Sequence, residues 1–173
     1  MDVRATPKMG DEEETLVAFL DNNRAVIVWK LDGLSEEDAR RPMVESGTSM
    51  LGLVKHLAWV ERWWFDFNFA GKEVDFPWTD DDPDADFRIE DDETIADIVA
   101  LYETAVAESN KIIDGADLDD IAAKTGGGTG GGVSRNLRWI VGHMVEETAR
   151  HAGHADIVRE LIDDKTGYMP KRT

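Results

Sequence analysis

Apolar residues recur at helical spacing in four long blocks of the chain. The first, from about Asp11 to Leu31, carries Leu16, Phe19, Leu20, Ile27 and Leu31 along one stripe. Its opening turn is acidic, which suits the positive end of a helix, and Gly33 supplies a stop. Ser35 to Asp38 reads as the cap of a short helical turn that ends before Pro42. The second long block begins at Thr48 or Ser49 and continues through LGLVKHLAWVERWWFDFNFA to Gly71. It is apolar around most of its circumference, which predicts burial against several neighbours. The third block starts at the acid pair Asp91–Asp92 and carries Ile95, Ile98, Val99, Tyr102, Val106 and Ile113. The fourth spans Ser134 to Asp163, with Leu137, Ile140, Val141, Met144, Val145, Ile157, Val158, Leu161 and Ile162 as its expected buried stripe.

No stretch shows a convincing strand pattern. The expected fold is all-α, a four-helix bundle forming a single domain over residues 1–173. A connection of about 16 residues joins the first two long helices, and a longer one joins the second and third. That longer connection, residues 73–93, is acidic and contains proline. Its run DDDPDAD lacks the glycine and terminal glutamate of an EF-hand loop, so a solvated acidic loop is expected. The run TGGGTGGG, Thr125 to Gly132, has no Gly-Lys-Ser/Thr ending and no preceding strand. It is expected to be a flexible linker and not a phosphate loop.

Composition narrows the function classes. The 173 residues are 42% hydrophobic, yet no apolar run approaches the ~18–20 residues that a membrane span requires. The opening MDVRATPKMGDEEE has no apolar core after its charges, so a secretory signal is not expected and the cytoplasm is the expected location. Acids outnumber bases 37 to 19, a net charge of −18 that repels phosphate backbones and argues against nucleic-acid partners. Cysteine is absent, so any thiol chemistry needs a sulfur from outside the chain.

The chemistry concentrates in EETARHAGHAD, Glu146 to Asp156. Residues four apart share a helix face, so Glu147 and His151 can reach one divalent ion together. An ordinary surface pair is the competing explanation. His143 lies one turn before Glu147, where it reads as a bundle-end residue or a support to the site. His154 lies three beyond His151, placed to orient it, bind substrate or relay a proton, with a structural hydrogen bond as the alternative. Glu146 and Arg150 point elsewhere. Arg150 and Arg138 could meet an anionic substrate, though pairing with neighbouring acids is the plainer expectation. On the second long helix, His56 sits among Leu53, Leu57, Val60 and Trp63, where a buried imidazole must find a partner. Bundles build metal sites from inward side chains on facing helices, so His56 with Glu147 and His151 would make a three-ligand site with open positions. Such donors suit Zn²⁺, with Ni²⁺, Fe²⁺ and Mn²⁺ as further candidates. The aromatic group Trp59, Trp63, Trp64 and Phe65 wraps its helix and divides between core, pocket wall and a possible homodimer contact.

The segments SMLGLVKHLAWVERWWF and LRWIVGHMVEETARHAGHADIVRELID resemble the DinB-like superfamily of metal-binding four-helix bundles. The similarity is strongest to members related to mycothiol-dependent maleylpyruvate isomerase and mycothiol S-transferases. Many members carry one histidine on the second helix and an H-x-x-x-H pair on the last, and this chain has Glu147 at the first position of that pair. The maleylpyruvate isomerase branch is similar in using His, Glu, His, so the resemblance implies His56, Glu147 and His151 as metal ligands. His154 falls where many relatives carry glutamine. The resemblance further implies a divalent-metal-dependent thiol S-transferase or isomerase, with mycothiol as co-substrate and an electrophilic small molecule as its partner. A metal-dependent hydrolase and a non-catalytic, metal-stabilised stress-response or binding module are the alternatives.

Overall fold

The computed structural model describes residues 6–125 and 132–167. Most of the glycine run expected to be a flexible linker, residues 126–131, lies outside them. Four long helices form an all-α bundle. Helix α1, Glu12–Trp29, is capped by Asp11, whose side chain accepts from the Glu14 amide while Glu14 accepts from the Asp11 amide. The chain then turns through Gly33, held at φ 73°. A short helix, α2, spans Glu36–Arg40 behind the Ser35 cap. Helix α3, Met50–Glu61, starts at the Ser49 cap and runs without a break into a π-helical segment, Arg62–Phe69. Helix α4 covers Ile95–Asp114 and α5 covers Leu137–Asp163.

Two helices start later than the sequence pattern suggests, and in both cases the cap decides. Thr94 and Asp97 form a reciprocal capping box, so α4 begins at Ile95 and the acids at 91–92 lie in the preceding turn. Asn136 caps α5, while the amides of Leu137 and Arg138 donate to Asp120 and Leu118 carbonyls. These bonds leave Ser134 outside the helix.

Helix α1 lies along α5, and α3 lies along α4. One apolar cluster joins Ile27, Leu53, Leu57, Tyr102 and Val158; another joins Leu20, Phe65, Ile113, Ile140 and Met144. The expected stripe on α5 needs correction at its C-terminal end, where Ile157 is 61% and Leu161 56% exposed. Two positions after Ala155 is about 200° around a helix, so Ile157 faces away from the core that Ala152, Ala155 and Val158 occupy. Among the described residues, no helix is long and apolar enough to cross a membrane.

Between the two apolar clusters sits a buried ionic group. Arg24 of α1 donates from Nε and Nη2 to both carboxylate oxygens of Glu61 at 2.7 and 2.6 Å. Its Nη1 reaches Asp21 at 3.1 Å and Asn110 of α4 at 2.8 Å. Three helices are thereby tied at one point.

Candidate metal centre

Helix α3 carries His56 on the face that meets α5 and the long connection. Four residues earlier, Gly52 lies under that connection: a Cβ there would fall 2.5 Å from the Phe87 carbonyl oxygen. Only a residue without a side chain lets the loop backbone approach so closely. Lys55 pins the same loop by donating to the Arg88 carbonyl at 2.8 Å and to Glu93 at 2.7 Å. The loop therefore crosses α3 one turn before His56 and delivers two side chains to it. Asp86, buried, bonds His56 Nδ1 at 2.7 Å. Phe87 stacks on the imidazole with ring centroids 4.0 Å apart and planes 14° from parallel.

From the opposite side, α5 presents Glu147 and His151. Glu147 Oε1 is 3.1 Å from His151 Nε2 and 3.6 Å from His56 Nε2. Ligand atoms on a tetrahedral ion with bonds of ~2.1 Å sit about 3.4 Å apart, and the two distances bracket that value. One ligand atom from each of His56, Glu147 and His151 lies within 4.8 Å of the others, so the three could hold a metal ion.

The protonation pattern agrees with such a use. With a carboxylate at Nδ1, His56 is best written as the Nδ1–H tautomer donating to Asp86, which leaves the Nε2 lone pair facing Glu147. The neighbouring imidazoles, His151 first and then His56, hold the Glu147 carboxyl well below its usual range despite partial burial. Burial works to lower the His56 pKa, but the carboxylates of Asp86 and Glu147 outweigh this effect and raise it. The carboxylates thus favour positive charge at this point. His151 adds a buried Nδ1 with no hydrogen-bond partner among protein atoms. Two imidazoles and one ionised carboxylate converging from two helices are a donor set that suits a divalent ion.

A family model described as Mycothiol-S-transferase matches residues 15–164. The chain belongs to that family. A search of curated proteins finds no match. The mycothiol S-transferase match covers α3, α4, α5 and all but the first turn of α1, and it includes every residue of the cluster.

The other sequence candidates have distinct placements in this family member. His154 is exposed and meets the His151 ring edge-on, with centroids 5.3 Å apart. His143, read as a bundle-end residue or a support, stacks on Trp139 and meets Trp64 edge-on, at 5.1 and 4.9 Å. It lines a cleft of about 420 Å³ together with Val60, Trp63, Trp64, Trp78 and Pro83, and His56, Asp86 and Glu147 share that lining. Arg138 pairs with Glu12 and Asp119, and Arg150 pairs with Glu146 and Glu147, as expected of surface cations among acids.

The long connection is the main correction. It is solvated at Asp80, Asp81 and Asp84, but Ala85 and Asp86 are buried and the segment builds one side of the centre. Asp86 and Phe87 were not legible as site residues, since one aspartate in an acidic run looks like its neighbours. The π-helical segment was equally hidden. Its register sends Trp63 toward Phe67, Phe76 and Trp78 while Trp64 faces Trp139 and His143. The two adjacent tryptophans thereby reach different walls of one cleft.

Proposed function

We propose that the protein is a divalent-metal-dependent S-transferase that joins the sulfur of mycothiol to an electrophilic small molecule. The observation that carries this reading is the meeting of His56, Glu147 and His151 in a chain of the mycothiol S-transferase family. Those three would hold the ion, with Zn²⁺ the best match to two imidazoles and a carboxylate and Ni²⁺, Fe²⁺ or Mn²⁺ as alternatives. When bound, such an ion lowers the pKa of a thiol that it contacts, which makes thiolate available near neutral pH. The borrowed sulfur accords with a chain that has no cysteine.

The protein's own groups have separable tasks. Asp86 keeps the His56 proton on Nδ1, and Phe87 fixes the plane of the ring. Glu147 remains ionised and so keeps a negative oxygen between the two imidazoles. His154, beside His151 and open to solvent, is suited to carry the thiol's proton to bulk water. The adjoining cleft admits the electrophile.

Metal removal and restoration test the proposal. Chelator-treated protein should lose mycothiol conjugation to a generic electrophile, and Zn²⁺ should restore it. Cobalt-substituted protein should develop a thiolate charge-transfer band when mycothiol is added. An unchanged cobalt spectrum, together with conjugation no faster than buffer, would instead favour the non-catalytic module.

A further inference from the structure

The cleft beside the centre has a chemical character of its own. One wall is an aromatic cluster: Trp63 meets Trp78 at 5.8 Å and Phe76 at 5.2 Å, and Phe76 stacks on Trp78 at 4.5 Å. Trp64 and His143 form the other wall, packed at 4.9 Å. Among the described residues, none that lines the cleft is Lys or Arg, whereas Asp86 and Glu147 both are present. Cations lie nearby, but Arg135 stacks over Trp64 and Trp139 and Lys124 over Phe67. Arg150 pairs with Glu146 and Glu147. Both carboxylates are committed to the centre, Asp86 to His56 Nδ1 and Glu147 to the proposed ion, so the aromatic walls are what the lining offers a substrate. The volume of about 420 Å³ is ample for a ring system with substituents.

We infer that the electrophile is a flat, ring-bearing molecule held between the tryptophan walls of this cleft. The inference rests on the reading that a thiol is delivered at the neighbouring centre. For an aryl chloride the step balances without a further reactant. The sulfur–carbon bond forms at the ring carbon that bears chlorine, and the carbon–chlorine bond breaks. Chloride leaves with the bonding pair, and the thiol proton passes to buffer.

The test compares methyl 4-chloro-3,5-dinitrobenzoate with the ring-free electrophile iodoacetamide, using mycothiol and metal-loaded protein. After correction for the uncatalysed rates, kcat/KM should favour the aryl chloride by about tenfold or more, because it alone makes aromatic contacts with the walls. Binding is read separately, by calorimetry without thiol, using methyl 3,5-dinitrobenzoate, which has no leaving group. Trp78→Ala on the loop and Trp63→Phe on the helix should each weaken this binding, the former by about fivefold, as expected for loss of an aromatic contact. Equal handling of the two electrophiles, or binding unchanged in Trp78→Ala, would overturn the inference. Ring binding without any sulfur transfer would uphold it while removing the transferase reading. Transfer to iodoacetamide with no preference for the ring would do the reverse.

Discussion

The bundle holds two clusters of charged side chains, and they are built on different terms. In the interior, Arg24 and Glu61 are both fully buried, and the guanidinium is matched by both Glu61 oxygens, Asp21 and Asn110. That cluster is electrostatically answered within itself. The His56–Glu147–His151 cluster is only partly buried and sets two carboxylates, Glu147 and Asp86, against two imidazoles with no Lys or Arg buried among them. The first arrangement holds helices together. The second would gain from an added cation, and that difference sets a structural cluster apart from a candidate metal site in one small fold.

Breaking the interior cluster should have the largest effect. Arg24→Ala leaves Glu61 buried and unpaired, and urea unfolding should show a loss of about 3–5 kcal/mol. Metal content per folded molecule should stay the same in that variant. Next comes Gly52→Ala, whose Cβ collides with the Phe87 carbonyl and must push the loop off α3. About 1–3 kcal/mol of stability should go, and metal affinity should fall with it because Asp86 moves from His56. Asp86→Asn sharpens the contrast further: calorimetric metal affinity should drop at least about tenfold, the usual cost of losing a group that orients a ligand, with little change in metal-free stability.

A smaller effect concerns pH. The raised pKa of His56 means that its contribution to the metal-free protein is fully present below the ordinary imidazole value of 6.5 and is lost as pH rises through the folded value. Metal binding has the opposite sign, since protons compete for the same nitrogen. Melting temperatures in chelator should therefore fall between about pH 6 and pH 8, relative to His56→Gln, while the stabilisation conferred by Zn²⁺ should grow. A common direction for both would show that His56 is not the shared group. The smallest change is expected at Arg150→Ala, within about 0.5 kcal/mol, because the Arg150 side chain is itself more than half exposed.

Much of this comparison was legible in the chain, and the illegible parts share a cause. The helices announced themselves through apolar spacing, an acidic first turn after Asp11 and a cap at Ser35, signals that act within a few residues. Glu147 and His151 were readable as a pair because helix geometry fixes residues four apart. His56 stood out as an imidazole in an apolar helix. Asp86 could not be singled out, since its burial depends on a loop path set by Gly52, more than thirty residues earlier. The Arg24–Glu61 pair is likewise a product of two helices meeting. At Ile157 and Leu161 the apolar side chains misled, because small alanines occupy the packed face instead. Local periodicity was informative; contacts made by tertiary approach were not.

The central claim is that His56, Glu147 and His151 hold one cation jointly. Metal analysis of dialysed protein tests it most directly, on the wild type and on His56→Ala and His151→Ala in parallel. One equivalent of divalent metal in the wild type and none in either folded variant is the predicted result. A full equivalent retained by both variants would contradict the account.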